Sequence, residues 1–402
     1  MRSLVVTLIF LTVPTYAALP VKLPAGDYQP KKAKYNMPLP KGRESSLRED
    51  AFARAKVWRE PQVAIERANL RDNEQASDGF NYETELFCKW AASEKMNGAT
   101  AKFTCVLPGG DTVKVKYARK GKSNPEIQGE ALATRLVRAL GFATDRTYLV
   151  RTLRCFGCPD DPWALITQMH SPFDQIRQDF YRRYGTQDRD GNWTYEPNFG
   201  KFTDFTEVAI ERKLEGRRVE AKDNQGWGWP ELVKVDASKG GATRAEVDAL
   251  KLLSSFLQHS DNKPDNQVLV CQDRDLPVDG RCLNPVAGPS DLGGTFGSGF
   301  HGTSHSKAEV TEWSKTPIWT EGCRVHVNTS PTGSWDDSTI SEGGRALLAS
   351  LLERLSENQI RDLFEGAHVS QWRHGDAANK DVDRWVQVFK TKRTQISNQR
   401  CR

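Results

Sequence analysis

The hydrophobic positions of the chain fall into helical and strand periods separated by long polar stretches. Residues 243–258 carry a strong helical period. Val247, Leu250, Leu253 and Leu257 recur on one side, and Thr243 with Glu246 makes a capping box at the start. Residues 124–141 predict a second helix, with Asn124 as cap, Pro125 in the first turn and Gly141 as the stop. Ile127, Ala133, Val137 and Leu140 lie towards one side of it, and Glu130 projects near that apolar face. An acid there is costly unless it has a partner. Upstream, residues 101–107 and 112–117 read as strands about the turn P-G-G-D. Val113 and Val115 take one face of the second strand, and Lys114 and Lys116 take the other. By itself such a lysine face reads as the wet side of a sheet. Apolar runs at 148–153, 164–170 and 267–270 are further strand candidates. Residues 341–355, 357–364 and 382–389 are helical, with a second capping box at Ser356 and Gln359.

The polar stretches are informative in a different way. Residues 18–44 are rich in Pro and Lys, have no apolar period, and read as an extended leader. Residues 45–72 suggest one or two surface helices broken at Pro61. Residues 171–242 are polar with many aromatics and glycines, including Trp227 and Trp229. At the start, Arg2, an apolar run over 4–13 and Thr15-Tyr16-Ala17 read as a secretory signal, residues 1–17. Its apolar core is too short to span a bilayer, and no later run is long and apolar enough. The expectation is an exported chain, secreted or periplasmic, with no transmembrane segment.

Eight cysteines, all after that signal, agree with export. They allow about 105 full pairings, so the sequence does not dictate connectivity. Closeness in sequence suggests Cys88 with Cys105 and Cys271 with Cys282, leaving Cys323 for Cys401. Cys155 and Cys158 read as a local staple, since no second C-x-x-C or His pair accompanies them. The formal net charge of +5 is too small to argue for a nucleic-acid partner.

The candidate chemistry sits after the strongest helix, in H-S-D-N-K-P-D-N over residues 259–266. Asp, Asn and Pro are turn formers, so the run taken alone also suits a solvated turn. It nevertheless holds what phosphoryl transfer needs. Asp261 could accept a hydrogen bond from an attacking hydroxyl, Lys263 could meet the transferred phosphate, and Asn266 could hold a metal. The pattern resembles the protein-kinase catalytic loop H-x-D-x-K-P-x-N. Downstream, S-D-L-G-G-T-F-G over 290–297 places Asp291 where kinases carry a second metal-binding Asp. The run over 130–142, a Glu followed by small residues and a final Leu-Gly-Phe, resembles the Glu-bearing helix of atypical kinases. Secretory-pathway casein-type kinases, spore-coat CotH kinases and HipA-like kinases have similar runs.

That resemblance covers roughly 103–297 plus a helical C-terminal part. It implies that Lys116, which ends its strand, is the nucleotide lysine and that Glu130 is its partner, with Lys114 and Glu126 as fallbacks. It also implies a connection between lobes at 163–169. The sequence departs from the pattern in three places. No G-x-G-x-x-G precedes the lysine, only Asn97-Gly98-Ala99; the gap to Asp291 is long; and no Ala-Pro-Glu follows.

The expected fold is α+β, a two-lobed protein-kinase-like unit with a small β-rich N-lobe at 86–170 and a mostly helical C-lobe at 171–402, the latter interrupted by an insertion over 171–242. A leader would occupy 18–85. The expected activity is that of an exported atypical kinase, transferring phosphate from ATP or another nucleotide, with Mg or Mn, to a hydroxyl-bearing acceptor. Two alternatives stand beside it. One is a catalytically inactive pseudokinase-type binding module. The other is a secreted carbohydrate-binding or envelope protein with Trp227 and Trp229 as its stacking surface.

Overall fold

The structure, a computed structural model, describes residues 22–30, 39–72, 80–92, 96, 98, 100–221, 225–273, 279–301, 304–305 and 308–401. The expected signal at 1–17 lies outside the described residues, as do Asn97 and Ala99. Among its described residues the leader contributes one helix, Glu44–Ala53 (α1), and one 3-10 turn, Ile65–Arg67. The expected surface character fails for α1. Leu47, Ala51 and Phe52 are buried, and Phe52 packs 6.1 Å from the Trp227 ring. Arg48 pairs with Glu231 at 3.0 Å.

Three strands follow: Leu86–Trp90 (β1), Lys102–Val106 (β2) and Thr112–Lys116 (β3). The turn between β2 and β3 needs glycine, because Gly109 and Gly110 both have positive φ, 97° and 85°. Next come Pro125–Ala139 (α2) and Arg146–Phe156 (β4). Asn124 does not cap α2 through its side chain; its amide donates to the Tyr117 carbonyl instead, at 3.0 Å.

The run at 164–170 is a helix, not a strand. Pro162–Met169 (α3) starts from Asp161, whose carboxylate accepts from the Ala164 N–H at 3.2 Å, with Pro162 in the first turn. A continuous apolar run suits either state, and here the cap and the proline decide. Asp174–Tyr184 (α4) follows, and then Phe202–Arg212 (β5). This last strand lies inside the stretch expected as a C-lobe insertion, yet it belongs to the sheet. β5 pairs with β3 through Lys114↔Glu211 and with β4 along ten positions from Arg146↔Arg212 to Phe156↔Phe202. The expected boundary at 170/171 therefore cuts through a continuous ladder. The chain leaves the sheet after Arg212, and the stretch 163–169 lies within α3.

The five strands close into a barrel in the order β1-β2-β3-β5-β4, sealed by parallel pairing of β1 with β4. Phe103, Cys105, Val113, Val115, Val150, Val208 and Ile210 fill its interior. Burying a valine- or phenylalanine-sized side chain contributes about 1.5–3 kcal/mol. Cys88–Cys105 staples β1 to β2, and Cys155–Cys158 closes the end of β4. Helix α2 lies on the outside, with Ile127 and Ala131 against Leu149 and Ala209.

A separate apolar cluster organises the rest of the chain. Arg217–Arg218 (β6), Gln267–Cys271 (β7) and Pro285–Pro289 (β8) make a small sheet, and Cys271–Cys282 bridges the β7–β8 connection. The central helix is Arg244–Leu257 (α5), with the expected Thr243–Glu246 capping box. Around it stand Val310–Lys315 (α6), Glu342–Glu353 (α7), Glu357–Gly366 (α8) and Val382–Asn398 (α9). Cys323–Cys401 ties down the end of the chain. Trp227 and Trp229 have no exposed surface, and the Trp227 indole donates to the Val268 carbonyl at 3.0 Å. They pack the core and cannot serve as a stacking surface for sugar. Among the described residues, no helix is long and apolar enough to cross a membrane.

Candidate active site

The period-two pattern of β3 sends Val113 and Val115 into the barrel and Lys114 and Lys116 outwards. That outer face is not wet. Lys116 is 1 % exposed and forms an ion pair with Glu130, which is fully buried in the second turn of α2. The Thr147 hydroxyl donates to the other Glu130 oxygen at 3.2 Å. The same ammonium reaches Asp291 Oδ1 at 3.3 Å and lies 3.9 Å from Glu211. The two fallback residues go elsewhere. Lys114 pairs with Glu211, and Glu126 accepts from the Thr100 hydroxyl. Glu126 also lies under Gly293, where an added Cβ would come within 3.1 Å of its Cγ.

Burial alone would lower the Lys116 pKa, but Asp291, Glu130 and Glu211 outweigh it and hold that pKa well above its ordinary value. Burial pushes Glu130 up to about 8; Lys116 opposes this, while Glu211 and Asp291 add to it. Burial also disfavours the charged form of Asp291, yet Lys116, Lys114 and Lys102 hold it well below the carboxylate range. Glu211 is held low in the same way, burial being outweighed by Lys114, Lys213 and Lys116. Lys102 stands directly across the ladder from Lys116, on the same face. Burial, with Lys114 and Lys116 beside it, pushes Lys102 down to about 8. Three lysines thus crowd one face of the sheet, an arrangement suited to a polyanion.

The second half of the site comes from the α5 end. Gln258 closes α5 in the left-handed region, φ 54°. Phe296, also left-handed at φ 58°, donates its N–H to the Leu257 carbonyl at 2.6 Å. A bulky residue there is strained and persists only where its surroundings fix it. Between these two points the loops at 259–266 and 290–297 are tied together. Ser260 donates to the Gly294 carbonyl through N–H (2.9 Å) and hydroxyl (3.1 Å). The Asn266 carbonyl accepts from the N–H groups of Ser290 (2.7 Å) and Asp291 (3.4 Å). The Asn266 side-chain amide donates to the Asp261 carbonyl at 2.7 Å. Asp261 is about one-fifth exposed and Lys263 about one-third; their charged ends are 3.9 Å apart.

The structure therefore joins Lys116, Glu130 and Asp291 by direct contacts, and joins Asp261 and Asn266 to the Asp291 loop by backbone bonds. Lys263 stands beside Asp261 at the more open side. Several supporting residues were not anticipated. Buried Asn262 donates to the His259 carbonyl at 2.9 Å and accepts from the Thr329 hydroxyl (2.8 Å) and the Ser334 N–H (3.0 Å). It pins the loop to a segment more than sixty residues on. Thr147, Glu211 and Lys102 were missed as well. Only Lys102 had a local signal, its place opposite Lys116 in the hairpin.

The donor chemistry fits a hard divalent cation such as Mg or Mn. The Asp291 carboxylate and the Asn266 amide oxygen are hard oxygen ligands, and the Asn266 amide nitrogen is already engaged with Asp261.

No family model matches the chain, and no curated protein matches it. Among solved structures it is similar to the Helicobacter pylori proinflammatory kinase CtkA, at 10% identity and a TM-score of 0.41, covering 79% of this chain and 99% of that one. It is also similar to the Golgi casein kinase, at 12% identity and a TM-score of 0.34, covering 94% of each.

Proposed function

We propose that the chain is an exported, kinase-like phosphotransferase that moves a phosphoryl group from a nucleotide to a hydroxyl of an acceptor. In this reading the barrel with α2 is the small lobe and the helices α5 to α9 are the large one, with the nucleotide between them. The observation that carries it is the buried Lys116 ammonium, which is paired with Glu130 and reaches Asp291 across the two parts of the fold.

Each residue then has a role the geometry can serve. Glu130, held by Thr147, aims Lys116 at the donor's phosphates, and Lys102 and Lys114 add positive charge on the same face. Asp291 and Asn266 would hold Mg or Mn, which would neutralise charge developing on the phosphates. Asp261 orients the acceptor hydroxyl and takes its proton, and Lys263 meets the transferred group. Four disulfides in the structure suit an oxidising compartment and support the export part of the reading.

The test is isothermal titration of the purified full chain with ATP in Mg, in Mn and in EDTA, alongside Lys116→Ala. Metal-dependent binding that Lys116→Ala weakens, together with phosphoryl transfer or ATP hydrolysis, is the expected result. Binding without any turnover in either metal would favour a pseudokinase-type binding module. Absence of binding would remove the nucleotide reading altogether.

A further inference from the structure

Behind α2, on a different wall from the Lys116 ammonium, lies a cavity of about 340 Å³. Neither Lys116 nor Asp261 nor Asp291 lines it. Arg135 and Arg138 enter it from α2 and Arg146 from the start of β4, and Glu215 is the one acid in its lining among the described residues. Arg135 is engaged with the Leu70 and Arg71 carbonyls at 3.0 Å, which fixes its position and leaves its charge in place. Arg146 meets Glu215 at 3.1 Å, but the Glu215 side chain is 65 % exposed, so that pair is cheap to give up. Arg138 has no acid partner among the described residues, and it lines a second, adjoining cavity as well.

A second observation points to a ligand. Thr144 lines both cavities, and its buried hydroxyl has no hydrogen-bond partner among the described residues. Thr144 is only 1 % exposed. A buried hydroxyl left unsatisfied beside convergent guanidinium groups is what an oxyanion would complete. Two arginines suit a phosphate, because each planar fork bonds two oxygens at once and a phosphate offers more than two oxygens and more than one negative charge.

We propose that this cavity is a binding site for a small phosphate-bearing anion, held by Arg138 and Arg146 with the Thr144 hydroxyl. The site does not depend on the phosphotransferase reading, since none of Lys116, Glu130, Asp261, Asn266 and Asp291 lines it. Its location gives it a consequence for that cleft. Thr147 lines the cavity and its hydroxyl holds Glu130, so the bound anion sits one side chain away from the Lys116–Glu130 pair.

The experiment is titration of the full, disulfide-bonded chain with inorganic phosphate and with glycerol phosphate, followed by calorimetry. The variants are Arg138→Ala, Arg146→Ala, Thr144→Val and Lys116→Ala. The expected result is one site in the parent and in Lys116→Ala, weakened roughly tenfold or more by either arginine substitution, as loss of a charged hydrogen bond predicts. Thr144→Val, which keeps the shape of the wall, should weaken it several-fold. Tighter binding of the ester than of the free ion would identify a phosphomonoester as the ligand; the reverse would identify free phosphate. The proposal is overturned if the parent binds neither probe. It is equally overturned if Lys116→Ala abolishes binding while Arg138→Ala and Thr144→Val leave it intact, because the anion then lies in the nucleotide cleft.

Discussion

Lys116 Nζ and Asp291 Oδ1 lie 3.3 Å apart although 175 residues separate them in the chain. That contact joins the outer face of a β-barrel to a loop anchored on the central helix of the other core. It also brings the Glu130 pair and the loop at 259–266 into one site.

The Lys116–Glu130 pair should dominate local stability. Removing one partner of a buried, hydrogen-bonded ion pair costs about 3–5 kcal/mol, because the other charge stays buried. Lys116→Ala should therefore lower the urea midpoint strongly above about pH 8, where Glu130 is ionised, and less at lower pH, where Glu130 takes up a proton. Lys114→Ala should cost much less, since Lys114 is partly exposed and Glu211 keeps Lys213 at 2.5 Å. Equal losses in the two variants would show that the ranking of these lysines is wrong.

The raised pKa of Glu130 fixes the sign of a pH effect. With a folded-state pKa of about 8 against an ordinary unfolded value near 4.5, the folded protein binds the extra proton between those limits. This group therefore makes stability fall as pH rises from about 4.5 to about 8. Asp291 and Glu211, held low, act at the acid end, where stability is lost as pH drops through and below the ordinary carboxylate range. Chemical denaturation from pH 5 to 8 should show a steeper decline for the parent than for Glu130→Gln. Parallel profiles would mean that Glu130 is already ionised at pH 5.

The disulfides should differ in weight. Cys271–Cys282 spans 11 residues and Cys323–Cys401 spans 78. By loop-closure entropy the first is worth about 3 kcal/mol and the second between about 4 and 5 kcal/mol. Paired Cys→Ser variants compared by thermal unfolding should rank in that order. A larger loss from the short loop would point to strain or residual denatured-state structure.

Much of this arrangement was legible because it is local. The β2–β3 hairpin, α2 and α5 carry their own turn residues, caps and apolar periods, and the two loops follow directly from α5 and β8. What was not legible depends on distance or on a close local contest. The run at 164–170 is apolar without clear alternation, and only the Asp161 cap makes it a helix. Forty-five residues lie between the end of β4 and the start of β5, α3 and α4 among them, so its pairing partner could not be read from spacing. Glu211 gains its meaning from Lys114 across the ladder, and Asn262 from Thr329 and Ser334. The tryptophans at 227 and 229 sit in a polar stretch, yet α1 and Trp335 cover them.

The central claim is that Asp291 holds a metal on a nucleotide while Asp261 acts on the acceptor. It is tested most directly by measuring metal-dependent ATP binding and phosphoryl turnover for the parent, Asp291→Ala and Asp261→Ala. The account predicts that Asp291→Ala loses metal-dependent binding. It predicts that Asp261→Ala binds nearly as the parent does but turns over about a hundredfold more slowly or worse, since only the transition state uses that carboxylate fully. Metal-dependent binding by Asp291→Ala equal to that of the parent, or turnover undiminished in Asp261→Ala, would contradict it.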